Sequence, residues 1–165
     1  MTIRPLSSRY QESHRSHAVP AKRACTARSD AASTSGRTLR EAWTDGAHAH
    51  LGITVPGFPS LYLVYGPNTN TSGGSIITYL EAQAGYIRQA IELQRDRDAA
   101  LSVRPDVEAA SDRALQERFA GTAWTRCDSW YRDDSGRIVT NWPGYMREYI
   151  ERTRVLDPGD FELVG

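Results

Sequence analysis

The stretch from Pro56 to Ser75 constrains this chain more than any other. Leu61-Tyr62-Leu63-Val64-Tyr65 is an unbroken apolar and aromatic run, bounded by Pro59 and by Gly66-Pro67. A run of that length with those boundaries predicts a strand buried on both faces, as in a parallel sheet. From Ser75 the period changes. Ile76, Leu80, Ala84, Ile87 and Ile91 recur at spacings of three and four, which predicts a helix to about Arg97 with that stripe turned inward. The polar loop between them contains Gly73-Gly74, where a ligand can approach backbone with no side chain in the way. Strand, glycine turn and helix start together place free N–H groups and a positive dipole end at one spot, which suits an anionic or carbonyl-bearing ligand. That geometry does not by itself fix a function.

A parallel strand needs crossover partners, and the chain offers few. No GxGxxG, GxSxG, HExxH, CxxC pair or GxxxxGK occurs in it. The central strand therefore reads as one member of a sheet whose other members are not encoded here. A second helix is predicted from Pro105, which suits a first helical position, with Asp106 and Glu108 complementing the dipole. Val107, Ala110, Ala114, Leu115 and Phe119 form its expected inward stripe, and Gly121 its stop. The runs Cys127–Arg132 and Arg137–Trp142 flank Asp133-Asp134-Ser135-Gly136, as a hairpin or a long ordered loop. A short helical segment, Tyr145 to Arg154, and a terminal Phe161–Val164 complete the chain. The expected class is α/β: one buried strand, a long helix, a second helix, the hairpin or loop, and a short C-terminal helix.

Residues 1–38 differ in character. The first forty residues hold eight basic and two acidic side chains, many Ser, Ala and Thr, and no apolar period. Such a segment cannot bury enough surface to offset its ordering entropy, so disorder is expected there, with the folded part at 39–165. With 20 basic and 20 acidic residues the chain has no global field for nucleic acid or membrane surface. No apolar run approaches the roughly eighteen residues of a membrane span. Cys25 and Cys127 make no disulfide framework, and the expectation is a cytoplasmic protein with free thiols. His48 and His50, two apart, lack further ligands at metal-site spacing and read as surface or loop histidines.

The run Gly52–Asn70, followed by Gly73-Gly74-Ser75-Ile76, resembles the C-terminal part of flavin-containing monooxygenases of the Baeyer–Villiger type, the cyclohexanone and 4-hydroxyacetophenone monooxygenase group. The likeness continues through Ser129-Trp130-Tyr131, the turn Asp134–Arg137 and Trp142-Pro143-Gly144 to Asp157-Pro158 and Phe161-Glu162-Leu163. It implies that the fold is an incomplete C-terminal part of a Rossmann-like FAD-binding domain. By resemblance, Gly66, Pro67, Asn68, Thr69 and Asn70 line the flavin pocket. Gly73, Gly74, Ser75 and Ile76 present backbone N–H groups to the flavin carbonyl and N1 side, where negative charge builds on reduction. Trp130 matches a Trp on a mobile loop that folds over NADPH.

The implied cofactors are FAD and NADPH, and the implied reaction is oxidation of a small-molecule ketone or a soft heteroatom. Family members are much longer, and their FAD glycine motif, NADPH fold and FxGxxxHxxxWP fingerprint have no match here; Trp142-Pro143 lacks the preceding spacing. No residue is assignable as catalytic. The expectation is a truncated monooxygenase, inactive as an isolated chain. The alternative is a non-enzymatic split subunit or interaction protein that associates with a separately encoded flavin-binding half. Substrate and oligomeric state are not legible.

Overall fold

The computed structural model describes residues 33–71, 73–126 and 129–165. The expectations for the leader up to residue 32 and for Cys25 and Cys127 lie outside those residues. Residues 33–38, ahead of the expected boundary at residue 39, are among those described. Ser33 is buried, its Oγ accepts from Arg37 N (2.7 Å), and Thr34 N donates to Gly57 O (3.2 Å). Helix α1, Leu39–Ala42, follows with a reciprocal capping box between Thr38 and Glu41.

The long helix is present as α2, Ile76–Arg97. It stops because Asp98 turns left-handed (φ 47°) and its N–H closes on Arg95 O and Gln94 O. Strand β1, Ala100–Val103, comes next and pairs antiparallel with the C-terminal strand β2, Phe161–Val164; Leu101 faces Leu163 and Val103 faces Phe161. Helix α3, Pro105–Glu117, starts at Pro105 as expected, with Asp106 and Glu108 in its first turn. Its inward side differs from the expected stripe. Glu108 is buried while Ala110 and Ala114 are exposed, because a hydrogen bond from His48 draws the Glu108 carboxylate inward. The chain leaves the helix after Glu117, short of the left-handed turn at Gly121. Helix α4, Met146–Thr153, matches the expected short helix. Between α3 and α4, Arg132 and Ile138 form one antiparallel bridge around the Asp133–Gly136 turn.

Two expectations fail informatively. Leu61–Tyr65 is not a doubly buried strand: only Tyr62 is bridged, antiparallel to Thr54, and Val64 and Tyr65 are 59% and 48% exposed. Among the described residues no strand lies on its far side, and Tyr65 (φ 59°) turns out of the extended region. On α2 the buried face is Tyr79, Gln83, Tyr86 and Ala90 rather than the Ile76, Leu80, Ala84, Ile87, Ile91 stripe.

The reason is chemical. Tyr149 on α4 stacks on Tyr79 (4.7 Å between ring centres), and its hydroxyl donates to Leu51 O (2.7 Å) while accepting from Gln83 Nε2 (2.9 Å). Gln83 Oε1 in turn accepts from Tyr65 N (2.9 Å). A fully buried amide with both ends satisfied holds this face inward, since leaving it unpaired costs about 1–3 kcal/mol. Below it Ile53, Tyr86, Ala90, Leu101, Val103, Leu156 and Phe161 form the main apolar core.

Candidate functional site

The loop after the apolar run is pinned from two sides. Asn68 N donates to Val139 O and Asn70 N to Thr140 O, while Trp142 N donates to Asn70 O, each at 2.9 Å. Asn70 and Asn141 thus form a parallel bridge. Asn68 sits left-handed (φ 56°), a conformation Asn tolerates, and its Nδ2 donates to Ile138 O (2.8 Å) and Asn141 O (2.9 Å). Thr69 is fully buried and its hydroxyl donates to Gly66 O (2.7 Å). The backbone packs so closely that a Cβ on Gly66 would lie 2.2 Å from Gly52 O.

A cleft of about 670 Å³ opens beside this clasp. It is lined by Trp43, Thr44, Gly46 and Ala47, by Leu63–Pro67 and Asn70, and by Trp130, Arg132–Ser135, Val139 and Thr140. Trp130 is 67% exposed at the lip and meets Tyr131 edge-on, ring centres 6.1 Å apart. Tyr65 donates its hydroxyl to Asn70 Oδ1 (2.7 Å), and Asn70 Nδ2 donates to Asn141 Oδ1 (2.9 Å). Asp133 Oδ1 accepts from Ser135 N, Ser135 Oγ and Arg137 N, which fixes the turn.

The residues expected to form one site thus divide. Gly66, Pro67, Asn70 and Trp130 line the cleft; Asn68 and Thr69 face inward and hold the clasp; Gly73, Gly74, Ser75 and Ile76 form the exposed start of α2 outside the cleft lining. That helix start is open. Ser75 makes no side-chain cap, the first turn has no acid, and Gly73 would meet nothing within 4 Å of an added Cβ. Gly74 (φ 108°) abuts Met146 of α4, which fixes the approach to α2.

Trp43, Tyr65 and Asp133 are cleft residues that the sequence did not single out. The Trp43-Thr44-Asp45-Gly46 turn was the available signal for the first of them.

The two histidines separate as well. His48 Nδ1 lies 2.8 Å from Glu108 Oε1, and this hydrogen bond raises its pKa despite partial burial. His50 is buried, not a surface residue, with neither ring nitrogen hydrogen-bonded and Asp160 Oδ2 3.8 Å away; burial lowers its pKa. No group of three or more His, Cys, Asp or Glu among the described residues could hold a metal ion, and no described helix is long and apolar enough to cross a membrane.

No family model matches the chain. Its fold is nonetheless that of part of a flavin monooxygenase. A closed crystal structure of cyclohexanone monooxygenase superposes with TM-score 0.70 at 22% identity, covering 80% of this chain and 26% of that one. An oxidised steroid monooxygenase bound to NADP superposes with TM-score 0.67 at 24% identity, covering 80% and 26%.

The sequences carry the relationship further. The FAD-binding monooxygenase ktnD of Aspergillus niger is 34% identical over 137 residues, 79% of this chain and 22% of that protein. A Baeyer–Villiger monooxygenase of Streptomyces coelicolor is 38% identical over 135 residues, and one of Pseudomonas aeruginosa 33% identical over 132, each covering 78% of this chain. The chain belongs to the Baeyer–Villiger type of FAD-dependent monooxygenases, and it spans about a quarter of the length of the curated relatives it matches.

Proposed function

We propose that this chain supplies the flavin-facing segment of a Baeyer–Villiger-type monooxygenase and that it does not turn over alone. The observation that carries this is the acid-free, uncapped start of α2 beside Gly73-Gly74. Such a terminus presents unpaired N–H groups and roughly half a positive charge, which fits the electron-rich edge of a flavin ring. The amides at Ser75 and Ile76 would hold that edge, and the exposed glycines let it approach. When bound, FAD supplies the redox chemistry by which NADPH and O2 oxidise a ketone or soft heteroatom.

The chain's own residues orient and shield. The Asn68–Asn141 clasp fixes the chain at Asn68 and Asn70, ahead of the turn that leads to α2. Trp130, exposed in the cleft lining, would cover a bound NADPH, and Tyr65, held by Asn70, lines the same cleft. Substrate binds as a small apolar ketone or heteroatom compound.

The test is direct. Purified chain is expected to hold FAD weakly and to consume no NADPH with cyclohexanone. Ser75→Asp, which sets a carboxylate against the flavin edge, is expected to weaken FAD binding in a fluorescence titration by about tenfold. Turnover by the isolated chain would refute the inactivity, and FAD binding indifferent to Ser75→Asp would refute the site.

A further inference from the structure

Helix α3 turns a polar stripe toward the segments that line the cleft. Glu108, Asp112 and Gln116 stand four residues apart and so share one face of the helix. His48 Nδ1 donates to Glu108 Oε1 at 2.8 Å, and His48 directly follows Ala47 of the first lining segment. Arg137 Nη2 donates to Asp112 Oδ1, and the Arg137 backbone closes the Asp133 turn of the segment that carries Trp130. Gln116 Nε2 donates to Ile138 O (3.0 Å), the same carbonyl that accepts from Asn68 in the clasp.

These ties are sheltered. The Glu108 side chain is 5% exposed, and those of Arg137 and Asp112 are 20% exposed. Pairs so placed are screened little by salt, and removing one partner leaves an uncompensated charge. An added Cβ at Gly46 would overlap Asp133 Oδ2 and lie 3.0 Å from Arg137 Cδ, so the two segments also touch there. Beyond that joint, one rigid helix holds both, with its two carboxylates about 6 Å apart along the axis.

We propose that Glu108 and Asp112 are positioning residues for the cleft: through His48 and Arg137 they fix the separation of its two lining segments, and protonation of His48 tightens the hold. The proposal rests on the reading above that Trp130 covers NADPH in this cleft. Neither carboxylate lines the cleft, so each acts through its partner. The groups facing His48 are Glu108 and Asp112 of α3 and Arg137 of the turn. The Glu108 hydrogen bond holds the imidazolium above its ordinary range, supported by the charge of Asp112 and opposed by burial and Arg137. As pH rises through the folded value the pair loses its cation and the tie weakens.

The experiment attaches a nitroxide at Asp45→Cys, an exposed position on the first segment, in the full chain carrying Cys25→Ser and Cys127→Ser. The relaxation that the label causes at the Ser135 and Thr140 amides is read by NMR against pH, together with the His48 ring signal. Relaxation is expected to fall as His48 loses its proton. Glu108→Gln, which keeps an acceptor without the charge, should abolish that pH dependence and move the His48 titration to lower pH. Asp112→Asn should lower the relaxation at every pH, and Arg113→Gln on the exposed side of α3 should change nothing. Circular dichroism verifies folding, and His48→Gln cuts the same tie from the other side should Glu108→Gln not fold.

NADP+ is then titrated into the same chains. Its affinity should fall about threefold in Glu108→Gln, within the range of changes made without touching a ligand. Relaxation indifferent to pH and to both carboxylate changes overturns the proposal, as does an equal response to Arg113→Gln or an NADP+ affinity that Glu108→Gln leaves unaltered. A cleft that responds to Glu108→Gln but takes up no NADP+ supports the positioning role and refutes the NADPH reading.

Discussion

The two apolar faces of α2 differ in how their polar atoms are treated. The inward face carries Tyr79, Gln83 and Tyr86, and the Gln83 amide is joined in one chain from Tyr65 N through Gln83 and the Tyr149 hydroxyl to Leu51 O. The outward face carries Ile76, Ile77, Leu80 and Ile91, purely aliphatic, with Ile77 and Ile91 more than half exposed. A hydrogen-bonded network admits one arrangement of its members, so the inward face specifies a unique packing within this chain. An aliphatic face is non-directional and takes whatever apolar surface is presented to it. The first fixes how the segment folds; the second leaves Ile77 and Ile91 largely to solvent.

That contrast is breakable, and the largest effect is expected at Tyr149. Tyr149→Ala removes a fully buried ring stacked on Tyr79 and packed against Trp142, and strands Gln83, so it should cost about 3–5 kcal/mol in urea unfolding. A loss near that expected from an exposed tyrosine would show the inward network to be ornamental.

Asn68→Ala comes next. It leaves Asn141 O without its side-chain donor and Ile138 O with Gln116 Nε2 alone, and puts alanine at a left-handed position, for about 2–3 kcal/mol. The same variant should loosen the clasp, seen as faster amide exchange at Asn70 and Trp142, whose N–H groups donate across it.

The histidines sharpen the comparison through pH, with opposite signs. His48 gains a partner in Glu108 and its pKa is raised, so its contribution to stability is full below about pH 6.5 and fades as pH climbs through the folded value above that. His50 is buried without a hydrogen bond and its pKa is lowered; its contribution is present above about pH 6.5 and fades as pH falls through the folded value below that. His48→Asn should therefore lose stability mainly at acid pH, while His50→Asn should flatten the acid limb of the stability profile. Proton NMR titration of the two ring signals in opposite directions from the ordinary value checks both.

The smallest expected effect is on the outward face. Ile77→Gln should change the stability of the isolated chain by no more than about 0.5 kcal/mol, because its neighbours are solvent. A large loss there would mean that the face is already packed, and the contrast would fail.

Local chemistry determined much of what is seen. Ile76–Arg97 is helical because its apolar residues recur with a helical period and Asp98 can cap it left-handed; Pro105 starts α3 because its missing N–H costs nothing at a first turn. The spaced motifs from Gly52 to Leu163 were enough to place the chain in its family. Tertiary structure alone decided which face of α2 turns inward, since a periodic stripe of isoleucines cannot reveal that a glutamine one step away will find Tyr149 and Tyr65 as partners. It also decided that Asn68 and Thr69 would hold the loop rather than line a pocket, and that Leu61–Tyr65 would keep an open side. Hydrogen-bond satisfaction and sheet burial depend on residues distant in sequence, and a strand can be buried on both faces only where other chain lies against it.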